Sequence, residues 1–276
     1  MNTSKIEWTD KTWNPVTGCT KVSQGCKFCY AETFYERFHG KGSFKNITCH
    51  DDRLTVPLNW KKPSMIFVNS MSDLFHEKVP FDFIYKIFEM MHLAHWHTFQ
   101  VLTKRAERLH ELNDVWLHLK RNYPGAEFPS KNVWIGVSVE DQKAADERIP
   151  LLVNSPAAIR FLSCEPLLGP VNLNLDELFY LRAEKIHWVI CGGESGNKAR
   201  PMHPEWAKSL RNQCEEANVS FFFKQWGSFG PTPGIMHHKR PFLFEDGTKV
   251  YKNSKARNGR MLDDCFYDQY PQINHH

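Results

Sequence analysis

Val133-Trp134-Ile135-Gly136-Val137 runs apolar without a break and then ends in Ser138-Val139-Glu140-Asp141. A strand with one wet face alternates apolar and polar residues. An unbroken run of this kind is what a parallel strand covered on both faces requires. The same figure recurs along the chain. Met65-Ile66-Phe67-Val68 ends in Asn69-Ser70-Met71-Ser72-Asp73, and Thr98-Phe99-Gln100-Val101-Leu102 ends in Thr103-Lys104-Arg105. Ile159-Arg160-Phe161-Leu162 ends in Ser163-Cys164-Glu165-Pro166, Ile186-His187-Trp188-Val189-Ile190 ends in Cys191-Gly192-Gly193-Glu194-Ser195-Gly196, and Val219-Ser220-Phe221-Phe222-Phe223 ends in Lys224-Gln225-Trp226-Gly227. With Trp13–Thr20 taken as the first, this makes seven strands.

Helical periods fit between the runs. Ala31 to Phe38 reads as a short helix with Phe34 and Phe38 on one face. Ile84, Ile87, Phe88, Met91 and His95 follow a cap at Asp82, and Ala145, Ile149 and Leu152 form a second apolar face. Pro204 suits a first helical position, ahead of a stripe of Trp206, Leu210, Cys214 and Ala217. Strands alternating with helices mean βαβ units and a parallel sheet. The expected fold is α/β, a parallel (β/α) barrel, full or partial, over residues 1–229. A doubly wound open sheet is the second reading. Residues 230–276 are turn-rich and basic and read as an extension closing over the barrel, with a hairpin of Phe242-Leu243-Phe244 and Lys249-Val250-Tyr251 around Asp246-Gly247.

The bulk numbers agree with a single large globular chain. It has 276 residues, 41% hydrophobic and 24% charged, with a formal net charge of +4. The mild positive charge permits an anionic partner without demanding one. The N-terminus, with Lys5, Glu7 and Asp10, lacks the apolar core of a signal peptide, and no apolar run approaches the roughly 18–20 residues of a membrane span. Five of the eight cysteines are scattered singly, which suits a reduced cytoplasmic protein with one metal centre better than a disulfide framework.

That centre would lie in Gly18-Cys19-Thr20-Lys21-Val22-Ser23-Gln24-Gly25-Cys26-Lys27-Phe28-Cys29-Tyr30. Three cysteines fall in this stretch, and the next, Cys49, comes twenty residues later. Three thiolates leave a tetrahedral site one ligand short, and a [4Fe–4S] cube held by three leaves one iron open. Spacing alone also admits a structural zinc with Cys49 or His50 as the fourth ligand.

The three cysteines after the first strand, with Phe28 just before the last, resemble the radical S-adenosylmethionine enzymes. Together with Trp13-Asn14-Pro15, Asn69–Phe75, Leu102–Arg105, Gly136–Glu140, Ser163–Leu167, Gly192–Gly196, Phe222–Gly227 and Gly259–Asp263, they resemble most closely the phage-associated three-cysteine-motif proteins near that superfamily. The first two cysteines are separated by six residues, where the common radical spacing has three.

The resemblance implies a barrel of the radical type with a [4Fe–4S] cluster on Cys19, Cys26 and Cys29. It further implies S-adenosylmethionine on the open iron, cleaved to a deoxyadenosyl radical that modifies or repairs a nucleic-acid base. In a barrel the polar strand ends share one rim. The expected cofactor-binding residues are therefore Asn69, Ser70, Ser72, Asp73, Ser138, Glu140, Gly192, Gly193 and Glu194, with Ser72 and Asp73 best placed by order for the methionine amino group. Lys104, Cys164 and Glu165 are the catalytic candidates, with Cys164 as a hydrogen-atom donor, and Lys224 joins the substrate's surroundings.

Plainer readings stand beside these. Gly192-Gly193-Glu194 fits a tight turn, Glu140 and Asp141 fit a helix cap, and Cys164 and Cys191 fit buried small residues. A zinc-stabilised barrel that binds nucleic acid or a protein without catalysis is the alternative function. A reductant protein and DNA or RNA are the expected partners, with no membrane. Two basic groups bear on the substrate: Lys104, Arg105 and Arg108, and Lys249, Lys252, Lys255, Arg257 and Arg260 near Trp226, Phe229 and Tyr251. They suit phosphates and stacked bases, or equally a solvated charged tail.

Overall fold

The computed structural model describes residues 4–175, 185–233 and 240–272. The chain divides into two compact units, Met1–Val137 with Arg148–Arg160, and Ser138–Glu147 with Phe161–His276.

In the first unit the apolar runs form four parallel strands: β1 (Lys11–Trp13), β4 (Met65–Val68), β5 (Thr98–Thr103) and β6 (Val133–Ser138). Each pairs with the next in that order, with Trp13 opposite Val68, Val68 opposite Val101, and Val101 opposite Ile135. Ile66, Val68, Phe99, Val101, Val133 and Ile135 are all sealed from water, as the unbroken apolar runs require. Each such side chain contributes about 1.5–3 kcal/mol by burial. Helix α2 (Phe81–Leu93) buries Phe83, Ile84, Ile87, Phe88 and Met91, the expected 3.6-residue stripe. Its cap is Pro80, not Asp82, which sits in the first turn where a carboxylate still favours the helix dipole; His95 lies past the helix end. Helix α3 (Leu112–Asn122) buries Leu112, Val115, Trp116 and Leu119 and follows a 3₁₀ segment at Ala106–Glu111.

The first strand departs from expectation. It covers Lys11–Trp13 and stops where Pro15, having no N–H, could not continue the ladder. Val16–Thr17 (β2) instead pairs antiparallel with Thr48–Cys49 (β3), inside a segment that read as irregular. Between them runs the cysteine loop, followed by helix α1 (Tyr30–His39).

Between β6 and the next strand the chain forms helix α4 (Gln142–Val153), with Ala144, Ala145, Ile149 and Leu152 buried. In the second unit β7 (Ile159–Cys164), β8 (Trp188–Gly192) and β9 (Ser220–Gln225) are parallel and adjacent in chain order, Cys164 facing Cys191 and Val189 facing Phe221. Helix α5 (Pro204–Glu216) lies between the last two in sequence. Pro204 opens it as expected, and His203 caps it, Nδ1 accepting from the Glu205 amide at 3.1 Å. Trp206 and Ala217 are half-buried, so its core stripe narrows to Ala207, Leu210 and Cys214.

Six strands lie in the expected runs and the first is shifted to Lys11–Trp13, and the fold is mixed α/β with parallel strands. Among the described residues neither unit contains the reversal of strand order that a doubly wound sheet needs.

The C-terminal stretch holds the expected hairpin. β11 (Phe242–Leu243) and β12 (Lys249–Lys252) pair antiparallel around Asp246-Gly247, and β10 (Phe229–Gly230) joins the other side of β12. Gly234, in the turn-rich stretch before it, lies outside the described residues. The last described residues run antiparallel along β9. The Phe223 amide donates to Tyr267 O at 2.9 Å, Gln269 N donates to Phe221 O at 3.3 Å, and Trp188 Nε1 donates to Gln269 O at 2.8 Å. Among the described residues no helix is long and apolar enough to cross a membrane.

Candidate functional site

The cysteine loop is fastened at its entrance by a glycine. Gly18 has φ +88°, its amide donates to Met71 O at 3.2 Å, and a Cβ there would lie 2.2 Å from Asn46 O. Only glycine permits that approach. Cys19, Cys26 and Cys29 are half-buried, and none of the eight cysteines is in a disulfide. Burial pushes the Cys19 thiol up to about 11, the Asp73 charge adds to this, and the Arg105 guanidinium opposes it, with Nη1 3.6 Å from the sulfur. Cys29 caps α1. Burial raises its thiol too, while the amides of Glu32 and Ala31 and the Lys104 charge act the other way. Cys19 and Cys29 each sense Cys26; Cys49 is raised by burial and by Asp51.

Among the described residues no three His, Cys, Asp or Glu side chains gather around one point as a single ion would need. An iron–sulfur cube takes each thiolate on a different iron and needs no such point. Three thiols on one loop, none in a disulfide, are a donor set that fits a cluster, although burial outweighs the Arg105 cation at Cys19 and keeps that thiol protonated until a metal displaces the proton.

Behind the loop lies a hydrogen-bonded hub. Asp73 Oδ1 accepts from Thr103 Oγ1 at 2.7 Å and Phe75 N at 3.0 Å; Oδ2 accepts from Lys104 N at 3.0 Å and Arg105 Nη1 at 3.3 Å. Arg105, 3% exposed, also gives Nη2 to Thr20 O and Oγ1 at 3.0 and 2.9 Å and Nε to Glu77 at 3.3 Å. His76 accepts at Nδ1 from Lys78 N, so its proton is on Nε2, which donates to Thr20 Oγ1 at 2.9 Å. Burial, then Arg105, lowers its pKa and keeps it neutral.

Asp73 is thus saturated by its own chain. Ser72 donates to Val16 O at 2.9 Å and Ser70 to Asn14 Oδ1 at 3.2 Å, so both hydroxyls hold the loop. Asn69, at φ +61°, accepts from Val16 N through Oδ1, while its buried Nδ2 has no partner among the described residues. Such an orphan donor is the group a bound ligand would satisfy.

The second unit holds the remaining candidates. Ser138 and Glu140 are buried, and Glu140 O accepts from Leu168 N at 2.8 Å. Glu165 Oε2 accepts from Lys224 Nζ at 3.0 Å; Oε1 is buried without a partner among the described residues, 2.8 Å from where a Gly192 Cβ would stand. Gly193 serves close packing, since a Cβ there would lie 2.1 Å from Trp226 O. Glu194 is spent on Arg200, Oε1 accepting from Nη2 at 2.6 Å and Oε2 from Nε at 2.9 Å, closing its own loop. Cys164 and Cys191 are fully buried, which drives both thiols up strongly.

A family model described as "Protein of unknown function (DUF5131)" matches residues 3–271. The chain belongs to this family. The comparison with curated proteins gives no match, nor does the comparison with solved structures.

In this DUF5131 chain two residues of the first basic group, Arg105 and Arg108, are engaged within the fold. Arg105 is buried in the hub, and Arg108 is tied to Glu111 at 2.6 Å and to the Val79 carbonyl. Trp226 is not a stacking platform. It is 3% exposed, lies edge-on to Phe223 at 4.9 Å, and donates to Met261 O at 2.8 Å. Arg260 covers the Phe222 ring at 4.9 Å and pairs with Asp268. Thr20 and His76, to which sequence reasoning gave no role, stand in the hub beside the cysteine loop, and Arg105, expected among the basic residues facing the substrate, is buried there with them. The signal was there: Arg105 stands at a strand end, where side chains meet a site rather than solvent.

Proposed function

We propose that the protein is a radical S-adenosylmethionine enzyme of the phage-associated three-cysteine-motif kind, acting on a nucleic-acid base. Cys19, Cys26 and Cys29 would hold a [4Fe–4S] cluster. The observation that carries the reading is the placement of these thiols on one loop, with Arg105 Nη1 3.6 Å from the Cys19 sulfur and Cys29 at the N-cap position of α1. The progression of parallel strands in chain order within each unit supports a barrel of the radical type.

When bound, the cluster and S-adenosylmethionine together supply hydrogen-atom abstraction, chemistry that belongs to the cofactor. The chain supplies placement and charge. Arg105 offsets thiolate charge at Cys19, and Lys104 does so at Cys29. Asp73 holds Arg105 and the start of the segment after β5, which makes it a positioning residue and not a direct contact to the methionine amino group. Asn69 Nδ2 offers a donor to the cofactor. Glu165, paired to Lys224 with one oxygen unmatched, can hold a substrate proton. A reductant protein and a reducing cytoplasm belong to the same reading.

Anaerobic reconstitution with iron and sulfide tests it. The parent should take up a cluster and, after dithionite reduction, release deoxyadenosine from S-adenosylmethionine. Single Ala replacements at Cys19, Cys26 and Cys29 should each lose the iron, while Cys49→Ala keeps it. A cluster-replete parent that releases no more deoxyadenosine than the cysteine variants would sink the enzymatic reading.

A further inference from the structure

Helix α1 starts directly after Cys29 and carries Tyr30, Phe34 and Phe38 at successive four-residue steps, on one face. They are 61%, 58% and 67% exposed, and the rings of Phe34 and Phe38 are 5.2 Å apart, edge to face. An aromatic stripe at helical spacing normally faces a core. On α1 the one buried residue is Ala31. The charges around the stripe are one-sided. Residues 21–45 contain Lys21, Lys27, Arg37, Lys41 and Lys45 against Glu32 and Glu36, five minus two, or +3 of the chain's +4. Both carboxylates are already engaged, Glu32 with Lys21 at 2.7 Å and Glu36 with the Gly42 amide at 2.7 Å. Among the described residues Lys27, Arg37, Lys41 and Lys45 form no ion pair, and all four are exposed.

Apolar rings alone would suit any greasy partner. Rings framed by four uncompensated cations suit a polyanion that also presents flat apolar faces, and a single nucleic-acid strand is that polymer. A duplex keeps its base faces stacked away. We propose that this face of α1 docks single-stranded nucleic acid, bases stacking on Phe34 and Phe38 and phosphates meeting Arg37, Lys41 and Lys45. The inference rests on the nucleic-acid half of the function proposed above and is independent of its radical half. It moves the contact surface from the C-terminal tail to the helix that begins at the cluster cysteines.

Fluorescence anisotropy with labelled 20-nucleotide DNA and RNA strands tests this on the full chain, over a salt series. The double variant Phe34→Ala/Phe38→Ala should bind at least about tenfold more weakly with an unchanged salt slope, because stacking releases no counterions. The triple variant Arg37→Ala/Lys41→Ala/Lys45→Ala should flatten the log–log slope by about two units, at roughly 0.7 per lost contact. All five residues are exposed, so unchanged circular dichroism should accompany both losses.

DNA and RNA arms report which strand is preferred; loss in either supports the surface. If instead Lys252→Ala/Lys255→Ala/Arg257→Ala loses binding and the α1 variants do not, the α1 surface is wrong while the nucleic-acid substrate stands. If the parent binds neither strand, the inference and the nucleic-acid substrate both fall, and deoxyadenosine release judges the radical chemistry separately. If the parent is a dimer that Phe34→Ala/Phe38→Ala converts to monomer, the stripe is an interface between copies and the proposal fails.

Discussion

Replacing Arg105 with Gln would strand several groups at once. Asp73 would lose its buried cationic partner, Thr20 would lose both bonds from Nη2, and Cys19 would lose its neighbouring cation. Breaking a buried pair from one side costs about 3–5 kcal/mol. Denaturant unfolding of Arg105→Gln should show a loss of that size, and iron content after reconstitution should fall with it. If stability drops while iron uptake stays at the parent level, the guanidinium serves the fold and not the thiolate. A second residue sets an acid limit. His97 is buried, with Nε2 3.2 Å from Pro57 O, and burial holds its pKa below the usual 6.5. The unfolded chain therefore takes up the proton first. The stabilisation is complete above about pH 6.5 and is lost as pH falls toward the folded value. Melting temperature should drop between pH 7 and 5.5, and His97→Phe, still able to pack against Trp60 and Trp96, should flatten part of that drop.

Two glycines near α1 separate conformation from space. Gly18 and Gly42 have φ of +88° and +81°, so alanine strains both. A Cβ on Gly42 meets nothing within 4 Å, while one on Gly18 would collide with the Asn46 carbonyl at 2.2 Å. Gly42→Ala should cost about 1–2 kcal/mol, the left-handed penalty alone. Gly18→Ala should cost distinctly more and reduce cluster loading, because backbone must move at the loop's entrance; equal melting temperatures for the two would refute this. Elements were legible in the sequence where burial on both faces writes unbroken apolar runs, as in Val133–Val137 and Phe221–Phe223. They were not legible where two or three residues settle the matter. Val16–Thr17 leave the first strand because Pro15 cannot donate, and their pairing with Thr48–Cys49 is long-range. The site followed the same division. The cysteines and strand-end polar residues announced themselves by position. The sequence could not say that Asp73 and Glu194 are consumed by Arg105 and Arg200, since such pairing depends on which side chains the fold brings together.

At the scale of the molecule, the C-terminal segment works as a cover. β9 is the last of the parallel strands in its unit, and an open strand edge invites pairing with other chains. The Phe221–Phe223 backbone is instead paired with Tyr267 and Gln269, while Asp263 clamps the segment to α5 through Arg211 at 2.9 Å and Lys208 at 3.0 Å. Ending the chain after Asn258 should leave an edge rich in phenylalanine exposed. Light scattering on warming should then rise at a lower temperature than for the parent; an unchanged onset would mean that the segment is dispensable. The same arrangement fixes an order of events during synthesis. Tyr267 is made some 42 residues after the end of β9 at Gln225, taking 267 minus 225. At roughly 5–20 residues per second, the ribosome leaves that edge bare for about 2–8 s. Through that interval the growing polypeptide is adhesive, and translation speed between Gln225 and Tyr267, or a chaperone resting on β9, governs how much of it escapes capture by its neighbours.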